Sequence, residues 1–220
     1  MSSRLDHRLR DFLGRSGQDE TSCLAGRLLP TLFSETAESP DRAFYWLQIP
    51  RWLGQSFGFG TSTAERRLLD DLLWMQICIF GLFRAQDDLV DGEVDDRLLP
   101  VEANRLLLEA CTCAARHFDA GSPFWIVFQN AIDRTSRAII RLDKLQRTPD
   151  RIPHCELGLY EDLSACLQLA SAGVAFASGR ERDWRTAVRP AMDRLATAAQ
   201  ILDDLDDLRD DLGDGRINYA

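Results

Sequence analysis

Lysine is nearly absent from this chain: Lys144 is the only one among 26 basic side chains. Almost all positive charge is therefore arginine, whose fixed, paired donors suit phosphate, although an arginine-biased genome gives the same skew. No stretch approaches the ~18 uninterrupted apolar residues of a membrane span. The first residues, Met1-Ser2-Ser3-Arg4-Leu5-Asp6-His7, carry mixed charge and lack the apolar run of a secretory signal. Surplus basic charge is missing too. The net charge of −9 argues against a nucleic-acid partner, which needs a basic surface. Metal-type cysteine spacing is lacking: Cys111-x-Cys113 has neither the two-residue gap nor the second pair of a zinc site. The six cysteines fall mostly inside apolar patterns, so they are expected to be reduced core thiols of a cytoplasmic protein. Strand-like alternation is scarce, and there is no solenoid-period repeat or low-complexity linker.

What is present is helical spacing. With 220 residues, 45% of them hydrophobic, the chain is long enough for one good-sized core, and we expect one all-α domain over residues 1–220. The pattern predicts short helices over Arg4 to Gly14 and Thr21 to Phe33. Another runs over Arg42 to Leu53, with a bend at Pro50. Gly54 to Thr63 reads as a loop that Ser62 or Thr63 ends as a helix cap, with Glu65 in the first turn. The helix from Ala64 to about Val90 has the strongest pattern, with a broad apolar surface from Leu68 to Phe83. Further helices are expected over Val101 to Asp119 and from Pro123 towards Leu145. The last two run over Leu157 to Ser178 and Val188 to Asp211.

Two aspartate-dense stretches stand out, about half the chain apart: Gln86-Asp87-Asp88-Leu89-Val90-Asp91 and Gln200-Ile201-Leu202-Asp203-Asp204-Leu205-Asp206-Asp207. Each ends a long apolar helix. Side chains at i, i+3 and i+4 share a helix face, so Asp87, Asp88 and Asp91 project together, as do Asp203, Asp207 and Asp211. Two carboxylates ~5 Å apart repel by about 3 kcal/mol at an effective dielectric of ~20. Acids at a helix C-terminus also oppose the macrodipole. The usual resolution is a hard divalent cation with oxygen ligands. A calcium loop does not fit: with Asp214-Gly215 at positions 5 and 6 of an EF-hand, Leu212 takes a ligand position and the last ligand lies beyond Ala220.

The first stretch resembles the first aspartate-rich motif of the class I isoprenoid synthases, which include prenyl diphosphate synthases, squalene and phytoene synthases, and terpene cyclases. The second resembles the corresponding motif of the prenyl diphosphate synthases, and Asp211-Leu212-Gly213-Asp214-Gly215-Arg216-Ile217-Asn218-Tyr219 is similar to the squalene and phytoene branch. The resemblance runs from about residue 40 to the end and is specific at the two motifs. It implies an all-helical bundle around an apolar cavity, with two or three magnesium ions gripping the diphosphate of a prenyl substrate. Asp87, Asp88, Asp91, Asp203, Asp207 and Asp211 would be the metal ligands. Arg84, Arg216 and Tyr219 would contact the diphosphate. Phe80 and Phe83, with Trp74 and Phe176, would line the cavity, where ordinary core packing is the competing role for each aromatic.

Departures from the family narrow the expectation. Chain-elongating members carry a paired arginine after the first motif and an N-terminal Gly-Lys-Arg patch. Here only Arg97 follows the motif, and Gly26-Arg27-Leu28-Leu29-Pro30 is a degenerate echo of the patch. No arginine precedes Gly173 closely; the nearest are Arg180 and Arg182. The balance favours terpene-cyclase-like ionisation of one substrate over prenyl transfer or a non-catalytic subunit. Family members continue past the second motif with helices that close the cavity. Against that pattern the chain reads as a C-terminally short member in one of three ways: a truncated piece, a minimal variant, or a subunit completed by a partner, with a homodimer also compatible with the resemblance.

Overall fold

The computed structural model describes residues 7–8, 11–12, 45–92, 94–146 and 157–214; for 45, 146, 157, 203, 207 and 209–214 only the backbone is described. Every regular element among the described residues is a helix. None is long and apolar enough to cross a membrane. The expected helix over Thr21 to Phe33 and the stretch Thr148 to Pro153, whose two prolines interrupt the helical pattern, lie outside the described residues. Contacts divide the chain into two compact units, Met1–Asp119 and Ala120–Ala220.

In the first unit, α1 spans Tyr45–Ser56, α2 Thr63–Val90 and α3 Leu99–Ala115. Helix α1 continues through Pro50 and runs three residues past the expected Leu53. Pro50, the sixth residue of the helix, has no N–H to give the Trp46 carbonyl, a loss set against the burial of the neighbouring Trp46 and Leu47. Ser62 is the cap of α2. Its side chain accepts from the Glu65 N–H at 3.1 Å, and Glu65 accepts from the Ser62 and Thr61 N–H groups at 2.9 and 3.0 Å. Two orphan donors of the first turn are thereby satisfied by a reciprocal pair. These bonds, above all those from Ser62, hold the Glu65 carboxyl below its ordinary range.

Leu72, Leu73, Trp74, Met75 and Ile77 form the centre of this unit, each about fully buried. Burial of one such side chain is worth about 1.5–3 kcal/mol. Helix α3 returns antiparallel to α2, and polar pairs set its register. Trp74 Nε1 donates to Glu109 at 2.9 Å, and His117 Nε2 lies 2.8 Å from Asp71. Arg8 joins this group, with Nη1 2.6 Å from Asp71 and its guanidinium over the Trp74 ring.

In the second unit, α4 spans Phe124–Gln146, α5 Leu157–Leu163, α6 Leu169–Ala177 and α7 Arg189–Asp214. The expected single helix from Leu157 to Ser178 is broken by a 3-10 turn over Ala165–Gln168. The cause is tertiary. The buried Thr135 hydroxyl on α4 accepts the Cys166 N–H at 3.1 Å and donates to the Asp162 carbonyl at 3.0 Å. Backbone groups bonded from a neighbouring helix need no straight helical ladder. Helix α6 ends in a Schellman closure: Gly179 has φ +70°, its N–H bonds the Phe176 carbonyl, and the Arg180 N–H bonds the Ala175 carbonyl at 2.7 Å. A π-helical turn, Trp184–Val188, leads into α7, with the Arg189 N–H bonding back five residues to Trp184. Phe124 meets Phe128 and Phe176 within this core.

Candidate functional site

The first acidic motif occupies the last turn of the 28-residue α2, and Asp91 is its C-cap residue. Its three carboxylates differ in setting. The Asp88 side chain is only 1% exposed, Asp87 is partly exposed, and Asp91 is exposed. Arg84, one turn earlier, places Nη2 3.1 Å from Asp88 Oδ1 and Nη1 3.9 Å from Asp87 Oδ2. A charge-assisted pair of this kind gives a buried carboxylate the partner that burial demands. The guanidinium is nearly half exposed, so it is open to solvent on its other side.

Phe83 is buried, and Phe80 stacks on Trp46 with ring centroids 5.1 Å apart. Trp74 belongs to the α2–α3 interface through its bond to Glu109. In the second unit, Phe176 meets Phe124 edge to face. Asp203, Asp207 and Asp211 fall within α7, where their side chains are outside the description; Arg216 and Tyr219 lie outside the described residues. The neighbouring Asp204 is partly buried and accepts a short hydrogen bond from the Tyr160 hydroxyl. Asp206 is exposed. The first motif belongs to the N-terminal unit and the second to the C-terminal unit.

Among the described residues, no three His, Cys, Asp or Glu side chains are already gathered so as to hold a metal ion. The donors of the first motif are nevertheless all carboxylate oxygens, the set a hard divalent cation prefers.

Two features fall outside the motifs. Glu102, in the first turn of α3, is 5% exposed, and neither carboxylate oxygen makes a hydrogen bond. Its sequence signal is an acid on the stripe Leu99, Ala103, Leu106, Ala110, whose other members are small or apolar. The second feature is a groove of about 500 Å³ in the C-terminal unit, whose walls include Ile126, Arg134, Gln168, Trp184, Arg185 and Arg189. Beside it the buried Asp193 accepts from Gln168 at 2.7 Å, and Arg134 donates to Asp162 at 2.6 Å. No spacing rule flags this groove, because its residues come from three separate stretches of the chain.

Among the described residues, Cys78, Cys111, Cys113 and Cys166 stand outside any disulfide. Burial pushes Cys113 up to about 11 and Cys166 up to about 12, which suits core packing rather than nucleophilic work. Comparison with protein-family models, curated proteins and solved structures returned no match to this chain.

Proposed function

We propose that this protein is a magnesium-dependent enzyme that ionises a prenyl diphosphate, with terpene-cyclase-like chemistry. The observation that carries the proposal is the pair of aspartate clusters at helical spacing, Asp87/Asp88/Asp91 and Asp203/Asp207/Asp211. They stand near the C-terminal ends of helices of 28 and 26 residues. Carboxylates set against the helix dipole and against one another are costly without a cation.

In this reading Asp87, Asp88 and Asp91 hold one or two ions, and Asp203, Asp207 and Asp211 another. Bound magnesium supplies Lewis-acid neutralisation of the departing diphosphate charge. Arg84, moved from Asp88 onto the substrate, donates to diphosphate oxygens in the paired geometry that guanidinium favours. Arg216 and Tyr219 are assigned the same contact from the C-terminal side. Phe80 and Phe83 exclude water from the allylic cation and offer it ring faces. With isopentenyl diphosphate as a second substrate, the same machinery would perform prenyl transfer. The lack of a paired arginine after the first motif favours the single-substrate reaction.

Incubating the protein with magnesium and geranyl, farnesyl or geranylgeranyl diphosphate tests this. Release of pyrophosphate with a hydrocarbon or alcohol product is expected from at least one of them. Product that forms only when isopentenyl diphosphate is added reassigns the enzyme to prenyl transfer. No pyrophosphate release under either condition overturns the proposal.

A further inference from the structure

We infer that Glu102 supplies a further carboxylate to the cation held by the first motif, bridging α2 and α3 through Asp88. The inference rests on reading that motif as a magnesium site, and it adds a ligand that the aspartate pattern does not contain. Its starting point is the anomaly of Glu102: a carboxylate 5% exposed whose two oxygens accept no hydrogen bond. Buried carboxylates are otherwise paired, hydrogen-bonded or bound to a cation. Glu102 stands in the first turn of α3, and among the described residues its oxygens have no partner, so a cation is the missing element.

The helix register aims Glu102 at the motif. Asp71 and Trp74 mark the face of α2 turned to α3, and Cys78, Gly81, Ala85 and Asp88 continue that face at three- and four-residue steps. Glu109 on α3 and His117 in the turn just past its end mark the facing stripe, and Glu102 lies on it two turns nearer the hairpin turn than Glu109. Counting along the antiparallel pair from Trp74–Glu109 sets Glu102 level with Gly81, and from Asp71–His117 level with Gln86. The mean of these two counts falls between Phe83 and Arg84, a little over one turn before Asp88. Side chains lean towards the N-terminus of their own helix. In an antiparallel pair, Glu102 and Asp88 therefore lean towards each other. Gly81 and Ala85, both buried, leave room for the glutamate stem between the helices.

Thermal midpoints of the full chain, measured without and with magnesium chloride, test this in wild type, Glu102→Gln and Asp88→Asn. Magnesium should raise the wild-type midpoint. Glu102→Gln should melt higher than wild type without metal, because a buried unpartnered charge is gone, yet lose cation affinity about tenfold or more. A magnesium response equal to wild type in Glu102→Gln, with the response lost in Asp88→Asn, overturns the role of Glu102 and leaves the motif assignment standing. Absence of a response in the wild type to magnesium or manganese chloride overturns the inference, while pyrophosphate release judges the proposed activity separately. Should Glu102→Gln not fold, Glu102→Asp replaces it: weakened magnesium affinity supports the bridge, and unchanged affinity overturns it.

Discussion

Asp71 shows how one side chain ties distant parts of the chain together. Although partial burial works against its charge, hydrogen bonds from His117 and Arg8 hold its carboxyl below the ordinary range. A depressed carboxyl contributes stability above its unfolded value, near 3.9, and loses it as the pH falls through the folded value. Asp71→Asn is therefore expected to melt lower than wild type at pH 7, with the gap closing as the pH falls below about 4. A gap independent of pH would show that the carboxylate charge contributes nothing. Asp71 and His117 left no trace in the sequence as a pair, because Asp71 is on α2 and His117 in the turn after α3, and only the packing of those two helices joins them. The Ser62–Glu65 cap was legible, because capping is a local bond between residues three apart. Glu102 was legible only in part: its place on an apolar stripe is visible, but its lack of a hydrogen bond is a property of the packed hairpin.

At the scale of elements, periodicity located the long helices closely. The span expected from Ala64 to Val90 is Thr63–Val90, and that from Pro123 to Leu145 is Phe124–Gln146. The expected Val101–Asp119 helix lies over Leu99–Ala115, and the Val188–Asp211 helix over Arg189–Asp214. The pattern failed where a neighbour supplied the bonds. Leu157 to Ser178 reads as one continuous apolar helix, but the Thr135 hydroxyl takes the Cys166 N–H and draws the chain into a 3-10 turn. Apolar spacing is blind to a hydrogen bond from another helix. Thr135→Val keeps the shape and removes the hydroxyl, leaving a buried donor unsatisfied. It should cost about 1–3 kcal/mol in urea unfolding. A cost near zero would mean that the turn holds itself without Thr135. The π-helical turn before α7 was equally hidden, since its five residues are too few to show an apolar period of their own.

At the scale of the whole molecule, the all-α class was legible because strand signals are scarce and the helical patterns are long. The proposed activity depends on groups from both units, Asp87/Asp88/Asp91 in one and Asp203/Asp207/Asp211 in the other, acting on one diphosphate. The sequence displays each cluster through its own spacing. It carries nothing about the distance between the two clusters, since each spacing is local. The most direct measurement of that claim is magnesium-dependent pyrophosphate release from the best prenyl diphosphate by wild type, Asp88→Asn and Asp207→Asn. The account predicts that each single substitution lowers the rate about a hundredfold or more, the scale of losing one preorganised electrostatic contact to developing charge. Pyrophosphate release that survives undiminished in either variant would contradict it.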